Sequence, residues 1–365
     1  MLRNDISTNV GTCIKIENVS NVLVECAGKK IESLNTEINF SEESVKIDKS
    51  TNISLKHCIL NVDHSDKPLS IHNSKNIEIA NSEISKFFTV AYKTSGLNFH
   101  NNVVNGYIEL DNINNSILSN NTFVVATGFN NLDAPAAVIL SKFGNKNIIR
   151  NNSIDGNAKG IYTDRNGADD GVVLNDEQNS VVSNNDIKNI WDCGIETIGT
   201  IQKNTMQNNI IKNAGYCGIG GWYWSNWIGN IVSNNTFDNV PKLFQFTRQY
   251  GLRPKGFNRD TPPLPADFGI YFKDNVFTNN KIINPRIPEE GRKLSSVFSI
   301  QWEVAVNEGE VMPTAKKFFV SNNVFKNNDF SRELTAPIFY PQSGFVDGGN
   351  NICNDSENES PFKCK

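Results

Sequence analysis

Carboxylates are the side chains of this chain best placed to do chemistry. Asp169, Asp170, Asp192 and Glu196 fall between positions 169 and 196, and Asp164 stands a few residues earlier. Three stretches with a shared glycine-apolar signature carry or adjoin them: Asp170-Gly171-Val172-Val173, Asp192-Cys193-Gly194-Ile195-Glu196 and Tyr216-Cys217-Gly218-Ile219-Gly220. On equivalent strands of neighbouring repeats, Asp170 and Asp192 would meet at one strand mouth, with Glu196 pointing outward on the coil that carries Asp192. Close carboxylates raise each other's proton affinity, so one remains protonated as an acid while another stays ionised as base or nucleophile. Hydrolysis of a glycosidic bond needs that pairing. Asp170, Asp192 and Glu196 are therefore the catalytic candidates, against the plainer reading of a solvated acidic loop. The same acids also suit a calcium ion, with Asp164 and Asp169 as ligands, because hard oxygen donors on adjacent turns favour that metal.

An aromatic run follows. Trp222, Tyr223, Trp224 and Trp227 come after Gly220-Gly221, and Trp191 and Tyr216 are expected to lie about one coil below. Flat rings bury the apolar faces of sugars and offer polar edges at the rim, so these four form a candidate substrate platform. Successive strand residues face opposite sides, and at least one ring of Trp222-Tyr223-Trp224 must then lie outside the core. Packing beneath a loop explains any single ring as well. Further on, Arg248, Tyr250, Arg253, Lys255 and Arg259 precede the stiff return Thr261-Pro262-Pro263-Leu264-Pro265. Guanidinium groups grip carboxylates or sulfates with two hydrogen bonds, which makes Arg248 and Arg253 candidate contacts to an acidic glycan. Solvated charges paired with nearby acids are the alternative. A hydrolase would need no cofactor, whereas a lyase would use calcium and an Arg, Lys or Tyr base from this loop. The four histidines, His57, His64, His72 and His100, all lie upstream of these residues.

The elements that must position these groups are announced by a repeating Asn-Asn pair followed two residues later by an apolar residue. It occurs at Asn101-Asn102, Asn120-Asn121, Asn151-Asn152, Asn184-Asn185, Asn208-Asn209, Asn234-Asn235, Asn279-Asn280 and Asn322-Asn323. Repetition on this scale marks a solenoid. Stretches such as Val181-Val182-Ser183 and Ile231-Val232-Ser233 are too short for helices and lack a 3.6-residue period, so the repeating unit is a coil of short strands. Residues one coil apart stack at about 4.8 Å, a spacing at which Asn side chains hydrogen-bond along a ladder.

These residues resemble the right-handed parallel β-helix of the pectin-lyase-like superfamily, from about Cys13 to about Phe325. The opening Gly11-Thr12-Cys13-Ile14-Lys15-Ile16, followed by Asn21-Val22-Leu23-Val24-Glu25-Cys26-Ala27-Gly28, is similar to the first coils of many secreted members. The resemblance implies an all-β fold with long loops on one side. It leaves the reaction open, since members include polysaccharide lyases, glycoside hydrolases, sugar epimerases, phage tailspikes and surface proteins. Asp169-Asp170 matches the paired aspartates of polygalacturonases, yet their Gly-His-Gly and Arg-Ile-Lys are missing, with Gly215-Tyr216-Cys217-Gly218 and Arg286-Ile287-Pro288 in their place.

Separation between successive pairs runs from 19 residues (102 to 121) to 45 (235 to 280). The shorter steps are bare coils, and the excess predicts insertions within 124–147, 155–180, 238–275 and 283–317. Insertions at one point of each repeat project from one side, which is often the binding face. The 365 residues fit one elongated domain, 1–350, with a polar tail over 351–365. A net charge of −4 with no basic stripe argues against a nucleic-acid partner, and no apolar run is long enough to span a membrane. The seven cysteines suit a secreted or cell-surface protein whose export signal has been removed ahead of Met1. Cys353 and Cys364 are expected to staple the tail, and Cys13 and Cys26 to close the first coil. Cys193 and Cys217 should stack as small buried neighbours, leaving Cys58 as a buried thiol. Two functions follow: an enzyme that cleaves or modifies a polysaccharide, hydrolase ahead of lyase, or a non-catalytic surface or glycan-binding protein. Oligomeric state is not readable.

Overall fold

The computed structural model describes residues 1–9, 11–34, 43–62, 67–125, 135–158, 167–246, 269–286, 297–299, 317–332, 338–340 and 344–353, with 86–90, 222–225, 269–270, 297–299, 317–318 and 338–340 described by backbone alone. Its strands wind as a parallel β-helix with three strands to a coil. Through the middle of the chain these are Asp170–Asn175, Val181–Ser183 and Asp186–Ile190, then Cys193–Gln202, Thr205–Gln207 and Ile210–Ala214, then Cys217–Ile228, Ile231–Ser233 and Thr236–Val240. Each strand pairs in parallel with its equivalent one coil away, for example Val182 with Met206 and Met206 with Val232. The middle strand of every coil joins a 12-stranded sheet from Ser20–Glu25 to Phe345–Asp347. No helix of the described residues is long and apolar enough to cross a membrane.

Asparagine serves two purposes in each coil. Each of the three corners turns on a residue with left-handed backbone: Asn179, Lys203 and Gly229 at the first, Asn184, Asn208 and Asn234 at the second, Asn189, Asn213 and Asn239 at the third, with φ between 53° and 66°. Asn tolerates that region better than other non-glycine residues. The first Asn of a pair is this corner. The second is buried and forms the ladder: Asn209 Oδ1 accepts from the backbone N–H and Nδ2 of Asn185, while Asn209 Nδ2 donates to Val182 O and Asn235 Oδ1. Its polar groups are thereby satisfied inside an apolar core.

One step of the expected series is corrected. Above Asn280 the next rung is Asn328, then Asn351. Asn323 caps a second ladder, Asn204, Asn230, Asn275 and Asn323, at the opposite end of the middle strand. The expected insertion ranges also shrink, because each contains a regular strand: Ala137–Lys142, Asp170–Asn175, Phe244–Gln245 with Gly269–Lys273, and Val297–Ser299. Residues 126–134, 159–166, 247–268, 287–296 and 300–316 of these ranges lie outside the described residues.

Apolar columns fill the interior. Ile154, Ile187, Ile211, Phe237 and Ile282 stack in register, as do Ile139, Val172, Ile195, Ile219 and Phe244. The filling becomes aromatic towards the C-terminus, where Phe277 stacks on Phe325 at 4.4 Å.

The cysteines depart from expectation. Cys26 bonds Cys58, and Cys193 bonds Cys217, so Cys58 is no thiol and Cys13 remains free instead. Cys26 and Cys58 lie at equivalent points of adjacent coils, with Cα atoms 4.8 Å apart, whereas Cys13 occupies a different face. Cys193 and Cys217 do stack as neighbours and go further by bonding. Cys353 is disulfide-bonded; its expected partner Cys364 lies outside the described residues.

Candidate active site

Strand register assembles the acids. Val173 pairs with Glu196, Glu196 with Gly220 and Gly220 with Gln245. One turn earlier in the chain, Asp170 lies alongside Cys193, whose N–H donates to Asp170 Oδ1 at 3.0 Å. A third column forms where Asp192 N–H donates to Asp169 O at 2.7 Å and Tyr216 N–H to Asp192 O at 3.0 Å. The glycines make this corner tight. A Cβ at Gly194 would stand 2.4 Å from Ile211 Cγ2, and one at Gly218 would stand 2.2 Å from Phe237 Cδ1, so core side chains occupy the space any larger residue would need.

Asp170 and Glu196 are brought together and hydrogen-bond each other through their side chains. Glu196 follows Ile195 of the core column and so lies on the outward face, where it is nevertheless covered: it is 8% exposed, and Asp170 is 2% exposed. Burial, which penalises the ionised form, is the main reason both hold protons more tightly than ordinary carboxyls. Glu196 is pushed up to about 7. Asp170 rises well above its usual range, with the negative charges of Glu196, Asp169 and Asp192 adding to burial. Burial and mutual charge thus favour a proton held between the two carboxyls.

That contact changes how the acids divide their roles. Carboxyls that act from opposite sides of a glycosidic bond stand about 5–5.5 Å apart in retaining enzymes and about 6.5–9.5 Å apart in inverting ones. A hydrogen-bonded pair is too close, so Asp170 and Glu196 form one proton-holding unit. Asp192 is the candidate for the opposing carboxylate: it is half-buried, sits one residue before Cys193, and its charge reaches Asp170.

The next coil adds polar groups that the sequence pattern did not single out. Lys242, only 3% exposed, places Nζ 4.2 Å above the Tyr216 ring centroid and donates to Gln245 Oε1 at 2.6 Å. The residues sit in a Phe-rich stretch, Lys242-Leu243-Phe244-Gln245-Phe246, where a buried lysine and glutamine were the available signal. Asp169, Asp170, Asp192, Glu196, Tyr216, Lys242 and Gln245 make a polar strip across four successive coils.

The aromatic platform divides. Trp227 is fully buried, its Nε1 donates to Thr197 Oγ1 at 2.9 Å, and its ring packs edge-on to Phe246 and along Phe272. It is a core residue and no sugar platform. Before it the pairing slips: Ile198 pairs with Trp222 but Thr200 with Asn226, so the later strand carries two extra residues here. Tyr223 and Trp224 lie on this bulge, directly after the paired Trp222, and the side chains of all three are outside the described residues. So are Arg248, Arg253 and Asp164. Among the described residues no group of three or more His, Cys, Asp or Glu is placed to hold a metal ion. Asp164, one of the two expected calcium ligands, lies outside the described residues, and Asp169 stands beside the Asp170–Glu196 pair.

A family model described as the right handed beta helix region matches residues 129–253. No curated protein matches the chain. Among solved structures, the endo-xylogalacturonan hydrolase from Aspergillus tubingensis aligns with a TM-score of 0.47 and 11% identity, over 93% of this chain and 92% of that one. DFA-IIIase from Arthrobacter chlorophenolicus A6 aligns with a TM-score of 0.46 and 11% identity, over 87% and 72%. The PL6 family alginate lyase AlyGC aligns with a TM-score of 0.34 and 14% identity, over 94% and 50%. Winding, repeat and family model together define a right-handed parallel β-helix.

Proposed function

We propose that the protein is a secreted enzyme that hydrolyses a polysaccharide, with the Asp170–Glu196 pair as its acid. The carrying observation is that buried pair of contacting carboxyls, which burial makes hold a proton more tightly than ordinary carboxyls, beside a half-buried Asp192. A glycosidic oxygen is a poor leaving group until protonated, and a carboxyl that keeps its proton near pH 7 can supply it. Asp192, on the same strip, serves as base for water or as nucleophile. Tyr216, Lys242 and Gln245 offer hydrogen bonds to sugar hydroxyls, and the Trp222-Tyr223-Trp224 run one coil above Glu196 supplies the flat faces. Arg248 and Arg253 extend the proposal to an acidic glycan. Disulfides at both ends of the solenoid and within it favour an oxidising compartment.

The test is a reducing-end assay over a glycan panel, run beside ultraviolet detection of unsaturated uronate. Hydrolysis without new absorbance is expected, and Asp170→Asn and Asp192→Asn should each lower turnover about 100-fold to 10,000-fold without unfolding the protein. Unsaturated products would make it a lyase. A panel left wholly uncut would support the non-catalytic, glycan-binding reading.

A further inference from the structure

Three disulfides are distributed unevenly along the solenoid. Cys26–Cys58 lies in the first coils and Cys353 near the last described residues, where a stacked array frays first and a staple has most to hold. Cys193–Cys217 lies in the middle, between coils already bound on both sides by paired strands. Fraying does not account for a bond there. Its surroundings do: the N–H of Cys193 donates to Asp170 Oδ1, and a Cβ at Gly220, the register neighbour of Glu196, would stand 2.8 Å from Cys217 Sγ and 3.1 Å from Cys193 Sγ. The bonded sulfurs thus fill the volume that a side chain beside Glu196 would otherwise take. Tyr216, which adjoins Cys217 in sequence, carries the Lys242 ammonium on its ring.

We propose that the Cys193–Cys217 disulfide is a positioning element of the active site, holding Asp170 and Glu196 in contact and keeping water from them, so that the state of the site depends on the redox state of this bond. The proposal deepens the hydrolase reading, since it concerns the regulation of the same pair. A dithiol that reduces the bond gives up two electrons and two protons, closes to its own disulfide, and leaves two thiols where one S–S bond stood. Unbonded thiols must move apart to van der Waals distance. The space beside them is that over Gly220, next to Glu196, and the backbone they move carries the donor to Asp170. The other charged groups facing the pair are Asp169 and Asp192.

The experiment follows the carboxyl protons themselves, by infrared or carbon NMR of the full chain, and needs no substrate. The Cys193→Ala/Cys217→Ala double variant is compared with wild type and with Cys26→Ala/Cys58→Ala. Water entering the site should move the pair's titration midpoint down by at least one pH unit in the first variant and leave it unchanged in the second, although both lose thermal stability. A midpoint that stays put in the first variant while its melting temperature falls would overturn the proposal and leave the bond a plain staple. If that variant does not fold, the Cys26→Ala/Cys58→Ala chain is titrated before and after treatment with a dithiol: the same downward shift is expected on reduction, and a midpoint that stays put overturns the proposal. Because protons are read and not turnover, a glycan panel left uncut would count against the hydrolase reading without touching this result.

Discussion

Burial keeps a proton between Asp170 and Glu196 that an exposed carboxyl pair would lose well below neutral pH. Unfolded, Glu196 titrates near 4.5; folded, it titrates at about 7, chiefly because ionising it beneath the surface costs hydration. Below 4.5 both states are protonated and pH has no effect through this group. Between 4.5 and 7 the folded state binds more protons than the unfolded chain, so stability falls as pH rises, and the loss is complete above the folded value. A shift of this size corresponds to about 3 kcal/mol. Glu196→Gln cannot ionise and should remove that share of the slope. Urea unfolding at pH 4, 6 and 8 checks it: the variant should gain on wild type as pH rises, and parallel profiles would mean the folded pair carries no excess proton. The same burial explains why the sequence could name Asp170 and Glu196 but could not give their relation. Carboxylates at positions 170 and 196 are visible in the pattern; a hydrogen bond between them depends on a register offset of three residues across one coil.

At the scale of the strand and its corners, the two asparagines of a pair should respond differently to mutation. Asn209→Ala deletes four hydrogen bonds in the core and leaves the N–H of Asn185 and the carbonyl of Val182 without that partner. Each buried group left unsatisfied costs about 1–3 kcal/mol, so the variant should lose about 3 kcal/mol or more in denaturant melts. Asn208→Gly changes an exposed corner with φ of 56°, a region glycine enters freely, and should shift stability by only a few tenths of a kcal/mol. Equal losses from the two would mean that the corner and the ladder are not separate devices. That division of labour also explains where reading the sequence succeeded and failed. The ladder was legible because its chemistry repeats. Its last step was not, because Asn322-Asn323 and Asn327-Asn328 are both Asn pairs, five residues apart, at the two ends of one short strand. Likewise Trp227 belongs by composition to an aromatic run, yet a two-residue slip of register sets it back into the core while Trp222 stays paired with Ile198. Periodicity reports that strands recur; it carries no record of a bulge within one of them.

Stacking makes the whole molecule close to one-dimensional, since each coil touches only the coil before and the coil after. Stability is then a chain of nearest-neighbour contacts, and the end coils, with one neighbour each, are the first to open. The Cys26–Cys58 bond ties coils at the N-terminal end across a separation of 32 residues. Closing a loop of that length restricts the unfolded chain by about 3–4 kcal/mol in the chain-entropy account. In a globular core such a loss would lower protection everywhere, because unfolding there is cooperative. In a solenoid it should remain local. Cys26→Ala/Cys58→Ala is therefore expected to speed amide exchange in the strands from Ile14–Glu17 to Thr51–Lys56, while Cys193–Gln202 and Ile210–Ala214 keep their protection at the same temperature. Hydrogen exchange read by mass spectrometry resolves the two regions. Uniform loss along the chain would show the coils to be more tightly coupled than neighbour contacts allow, and would place the acidic strip under the control of a bond many coils away.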